Sequence, residues 1–253
     1  MKDVEDAITS YRETLALCPS DHPTRSYSLT NLGNALLARF EQLRKMEDLE
    51  DAITSYRESL TLCPPGHPDR SYSLTNLGNA LLACFEQVGA MGDLENAITS
   101  YHETLSLCPP GHPTRSYSLT HLGNGLVARF GQLSGMGDLE DAVSFYHESL
   151  TLCPPGHPDR SFSLINLAKA LFTRFQQSGR MEDLEDAISF YREALSVLLA
   201  TQFVPIHSSS SPMLFILASS SWAGWKIWKM RSHPTAKHSL SVLLATQIVP
   251  VHS

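Results

Sequence analysis

An all-α, right-handed solenoid of stacked antiparallel helix pairs is the fold class this sequence predicts, and three observations carry it. Cys18, Cys63, Cys108 and Cys153 recur every 45 residues with their surroundings, so that Asn31-Leu-Gly-Asn-Ala-Leu36 returns as Asn76-Leu-Gly-Asn-Ala-Leu81. Apolar residues inside each unit step by three and four. A Cys-Pro-Pro-Gly-His-Pro stretch then breaks the pattern.

The elements follow in chain order. Residues 2–17 read as a lone second helix, with Ala7 standing where later units have Ala52, Ala97, Ala142 and Ala187. The first helix of the next unit, entered through Pro23, aligns Leu29, Leu32, Leu36, Phe40 and Leu43 on one face. The second aligns Leu49, Ala52, Ile53, Tyr56 and Leu60, with Glu47, Asp48, Glu50 and Asp51 crowding its N-terminal turn, where acidic groups suit the helix dipole. Three further pairs repeat this, and nine helices end near Leu195. The burial available to one pair falls short of the conformational entropy lost in ordering it, so units must cover one another's faces. Gly33, Gly78, Gly123 and Ala168 let neighbouring helices approach closely. The array begins in mid-unit and ends without a polar cap. It therefore reads as part of a longer array, with self-association expected through its uncapped ends.

Composition bounds the function. Net charge is -7, and all 26 acidic residues precede residue 196, which leaves the first 195 residues at net -11 and the tail at +4. That balance argues against coating nucleic acid or docking on an anionic membrane. The charged N-terminus lacks a secretory apolar run, so a cytoplasmic location is expected. Five cysteines in 253 residues do not make a disulfide scaffold.

Leu32-Gly33 and Leu36 of the first helix, Ala52 and Tyr56 of the second, and the closing Pro64 resemble the tetratricopeptide repeat. The unit is longer than the standard 34 residues, and its Asn-Leu-Gly and His-Pro-Asp signatures are similar to the long repeats of kinesin light chains. They are closest to arrays of fungal proteins that often precede a caspase-like CHAT domain or follow a nucleotide-binding domain. The resemblance covers residues 1 to about 195. Neither fused domain is present, so their activities do not transfer.

The resemblance implies that the first helices line a concave surface. Two rows stand there three residues apart: Asn31, Asn76, His121 and Asn166, and Asn34, Asn79, Asn124 and Lys169. A side-chain amide donates and accepts, so such rows suit the backbone of an extended peptide. Arg39, Arg129 and Arg174 would add a carboxylate-binding rim. The competing expectation is that the asparagines tie adjacent helices together or are simply solvated. The function expected is a scaffold for a protein or peptide partner. The alternative is a truncated relic of a larger CHAT or nucleotide-binding effector, without activity of its own.

Cysteine precedes histidine by four residues in every unit (Cys18/His22, Cys63/His67, Cys108/His112, Cys153/His157). One unit supplies only two such ligands on an irregular turn, and equivalent positions lie a helix spacing apart, so a structural role is expected in place of zinc. Cys84, standing in the arginine register, reads as drift. No cofactor and no catalytic set stands apart from the repeat.

Residues 196–253 form a second kind of sequence, with no acid and all three tryptophans. Residues 195–208 return almost unchanged at 240–253, again 45 apart. The period survives while the residues change, as expected if repeat-encoding DNA is read out of frame. Trp has a single codon, so Trp225-Lys226 and Trp228-Lys229 each give Glu in the shifted frame, and residues 242–250 can be written to give Cys-Pro-Pro-Gly-His-Pro-Asp-Arg-Ser. The tail is expected to be a frameshifted repeat, poorly structured, and too short in its apolar run to span a bilayer.

Overall fold

The computed structural model describes residues 2–200 apart from Asp21 and Pro23, with side chains as far as Val197. The tail from residue 201, with its frame-shift reading, and the entry proline Pro23 lie outside the described residues. The described chain is helical throughout: α1 (Lys2–Leu17), α2 (Arg25–Leu43), α3 (Met46–Leu62), α4 (Arg70–Val88), α5 (Met91–Leu107), α6 (Arg115–Leu133), α7 (Met136–Thr151), α8 (Arg160–Ser178) and α9 (Met181–Ala200). We call α2, α4, α6 and α8 the A helices and the others the B helices. Each A helix packs most extensively on the B helix that follows it, and each B helix on the next A helix. The result is the stacked all-α solenoid expected from the 45-residue period.

The local chemistry explains each boundary. Every A helix ends on a residue in the left-handed region (Arg44 φ 55°, Gly89 φ 74°, Ser134 φ 55°, Gly179 φ 72°) whose N–H donates to the carbonyl of Phe40, Phe85, Phe130 or Phe175. B helices begin two residues later with acids in the first turn. Leu43, expected on the buried face, is the last residue of α2, inside this closing turn, and is 39% exposed. The last helix continues past the expected end at Leu195 to Ala200.

The connector is held by its own polar groups. The His67 N–H donates to the Pro64 carbonyl and the Asp69 N–H to His67 Nδ1. The same backbone-to-imidazole bond occurs at His22, His112 and His157. These histidines are turn residues, and Cys63, Cys108 and Cys153 are fully buried. The arginine opening each A helix then spans two neighbours. Arg115 donates to the Cys108 carbonyl (2.7 Å) and to Glu148 (2.8 Å), and Arg25, Arg70 and Arg160 do the same with Cys18 and Glu58, Cys63 and Glu103, and Cys153 and Glu193.

Small residues set how closely the pairs pack. Ala52, Ala97, Ala142 and Ala187 are buried, as expected of close helix contacts. A Cβ at Gly33, Gly78 or Gly123 would lie 2.5, 2.5 or 2.6 Å from the ring of Tyr56, Tyr101 or Tyr146. Tyr56, Tyr101 and Tyr146 are thus seated on the bare backbone of the A helix in their own unit. Buried hydroxyls join consecutive units: Thr30, Ser59 and Ser73 bond one another across α2, α3 and α4, and Ser149 bonds both Thr120 and Ser163 across α6, α7 and α8.

Candidate functional site

Successive A helices touch one another, α2 with α4, α4 with α6 and α6 with α8, so their outward rows form a continuous surface. The two rows singled out from the sequence lie on it and behave differently.

In the second row the amides are already in use. Tyr56 Oη donates to Asn34 Oδ1 (2.9 Å), and Asn34 Nδ2 donates to Tyr72 Oη of the next A helix (3.0 Å). Asn79 accepts from Tyr101, and Tyr117 of the next A helix stands at the position of Tyr72. Asn124 accepts from Tyr146 (2.7 Å), but the residue at the position of Tyr72 and Tyr117 is now Phe162, which has no hydroxyl. In the fourth unit Lys169 replaces the asparagine, and Tyr191 Oη is buried without a partner.

The first row is short of partners. Asn76 Nδ2, His121 Nε2 and Asn166 Nδ2 are buried atoms with no hydrogen bond, while Asn31 is half-buried. His121 lies edge-on to Tyr117 (ring centroids 4.1 Å) and near Tyr101 (5.6 Å) and Phe162 (6.5 Å). Burial in this aromatic nest lowers its pKa to about 4, so the ring is neutral at pH 7.

The arginine row does not form an open rim. Arg39, Arg129 and Arg174 each present two nitrogens to the carboxylate of Asp48, Asp138 or Asp183, at 2.9 and 2.6 Å in every case. Arg129 also reaches Glu95. The carboxylates that the forks were expected to capture come from the first turn of the following B helix, so these arginines brace the A-to-B junction. Cys84 interrupts the series opposite Asp93, and burial pushes its thiol up to about 11, far from a nucleophilic thiolate.

A recess of about 200 Å³ on the A face lies over α6. Asn124 and Val127 of α6, Asn166 and Lys169 of α8, Tyr146 of α7 and Glu86 of α4 line it. It gathers three of the residues expected from sequence. Glu86 and Val127 were not anticipated, because they sit two turns and one turn further along helices whose repeat signal is strongest near the asparagines. Among the described residues, no three His, Cys, Asp or Glu side chains are placed to hold a metal, and no helix is long and apolar enough to cross a membrane.

The family model for the tetratricopeptide repeat matches residues 26–69, 71–114 and 163–197. A Podosopora anserina protein described by its kinesin light chain nearly identical TPR-like repeats is 19% identical, covering 79% of this chain and 90% of its own, with a TM-score of 0.56. BtubC (BKLC) from P. vanneervenii is 14% identical over 100% of this chain and 94% of its own, with a TM-score of 0.57. YrrB, described as a TPR protein with an unusual peptide-binding site, is 16% identical over 80% and 85%, with a TM-score of 0.51. At these identities the likeness is one of fold. No curated protein matches.

Proposed function

From the tetratricopeptide repeats matched at residues 26–69, 71–114 and 163–197 we propose that the chain is a protein-interaction scaffold whose A-helix face holds an extended peptide or a segment of a partner domain. The observation that carries the proposal is the run of buried polar atoms without partners, Asn76 Nδ2, His121 Nε2 and Asn166 Nδ2, on three successive A helices. A buried group left unpaired costs about 1–3 kcal/mol. Three such groups in one line, one per unit, suit a ligand that brings a hydrogen-bonding group at every step, as an extended backbone with its N–H and C=O groups does. The peptide-binding site named for YrrB agrees with this use of the fold.

Display selection of random peptides on the full chain, followed by titration of the selected peptide, tests the reading. Asn76→Ala and Asn166→Ala should each weaken binding about three- to tenfold, the loss of a hydrogen bond or two, with little change in melting temperature. Substitutions that lower stability while leaving affinity unchanged would show that the row only ties helices together.

A further inference from the structure

The second amide row is closed at Asn34 by a tyrosine hydroxyl and open at Asn124, where that hydroxyl is missing. Asn34 is held on both sides, by Tyr56 and by Tyr72, while Asn79 accepts from Tyr101 and has the hydroxyl-bearing Tyr117 at the matching position of the next A helix. Asn124 is held only by Tyr146. Phe162 offers nothing to its Nδ2, and no other described residue accepts from it. One step on, Asn166 Nδ2 is buried without a partner. The groove over α6 thus pairs a free second-row donor, Asn124 Nδ2, with the orphaned first-row Asn166 Nδ2, whereas at α2 the second-row donor of Asn34 is taken up by Tyr72.

The groove also has charge at its two sides. Lys169 of α8 and Glu86 of α4 both line it, and neither makes an ion pair among the described residues. Between them lies the apolar Val127 of α6. Packed helices are about 8–10 Å apart, so α4 and α8 are separated by two such steps, and side chains leaning inward from both shorten the gap. In an extended chain residues i and i+4 face the same way about 13 Å apart, with i+2 between them on that face.

We propose that this groove takes a short extended segment of another protein that carries an acidic and a basic side chain four residues apart with an apolar residue midway, and that Phe162 keeps the site open. The acid meets Lys169, the base meets Glu86, the middle side chain rests on Val127, and backbone carbonyls accept from Asn124 and Asn166. A tyrosine at position 162 would instead engage the Asn124 amide, as Tyr72 engages Asn34, and close the groove. This deepens the scaffold reading and rests on it.

The test uses the full chain and three blocked, fluorescein-labelled peptides in anisotropy titrations: Glu-Ser-Val-Ser-Lys, the reversed Lys-Ser-Val-Ser-Glu, and the neutral Gln-Ser-Val-Ser-Gln. One charged direction should bind at least about threefold tighter than the neutral peptide, in the range of solvent-accessible ion pairs. The double variant Glu86→Lys/Lys169→Glu should reverse which direction is preferred, something a general loss of folding cannot do. Phe162→Tyr should weaken the favoured peptide about three- to tenfold without lowering the melting temperature. Charged and neutral peptides binding alike, no binding of either charged peptide at about 1 mM, a preference that survives the charge swap, or full affinity in Phe162→Tyr would each overturn the proposal. A display-selected peptide that depends on Asn76 but not on Lys169 or Phe162 would overturn it too, while leaving the scaffold reading standing.

Discussion

His121 is the one titratable member of the asparagine row, and its burial makes stability depend on acid. Its folded pKa is lowered from 6.5 to about 4 by desolvation among Tyr101, Tyr117 and Phe162. Between those values the unfolded chain binds a proton that the folded chain refuses, so stability falls as pH drops from about 6.5 to about 4. The full loss is on the order of 3 kcal/mol. His121→Asn, which restores the residue found in the other three units, should remove this component. Urea midpoints at pH 7 and pH 4.5 for both proteins check it, and an equal acid loss in the variant would refute it. The glycine beneath each tyrosine gives a second expectation at this scale. Gly78→Ala places a methyl 2.5 Å from the Tyr101 ring. The ring must move off Asn79, and about 1–3 kcal/mol of stability should be lost in chemical denaturation. Sequence reading recognised that a small residue was needed here but could not name the partner, since a glycine and a tyrosine 23 positions apart leave no periodic trace.

At the scale of elements, the turn from A helix to B helix differs among otherwise near-identical units. Gly89 and Gly179 close α4 and α8 in the left-handed region without a Cβ penalty, whereas Arg44 and Ser134 hold the same conformation with one. Ser134→Gly should therefore stabilise the chain by about 0.5–1 kcal/mol, visible as a higher urea midpoint with an unchanged slope. The same junction in the second unit lacks its arginine, because Cys84 faces Asp93 where Arg39 and Arg129 face Asp48 and Asp138. Cys84→Arg should restore the fork and add about 1 kcal/mol, a modest value because the pair is partly exposed to water. A melting temperature equal to or below that of the parent would contradict it. Helix existence and order were legible in the sequence because the apolar steps and the Pro-Pro-Gly breakers are local signals. The role of the arginine row was not. Its partner lies nine residues on, across a two-residue turn, and only the turn geometry brings fork and carboxylate together.

Across the whole molecule, the stacking was legible from the 45-residue period alone, yet the period also concealed where the array departs from itself. Near-identical units invite the expectation of one uniform face, while Phe162, Ala168 and Lys169 together change the last unit. Ala168 carries the Cβ that the three glycines lack, and Tyr191 sits 6% exposed with its hydroxyl orphaned, against 0% for Tyr56 with its hydroxyl bonded to Asn34. In a stacked array each unit is stabilised by its own pair and by its neighbours. A unit whose tyrosine lacks the glycine seat and carries an unpaired buried hydroxyl should open more readily than the rest. Native-state hydrogen exchange should therefore show amides of α8 and α9 less protected than those of α4 and α5. The double variant Ala168→Gly/Lys169→Asn rebuilds the seat and gives Tyr191 an acceptor, so it should raise α8–α9 protection by about 1–3 kcal/mol and leave α4–α5 nearly unchanged. If the variant instead raised protection evenly along the chain, the array would be unfolding as a single unit. If it raised none, the fourth tyrosine would already be as well seated as the others.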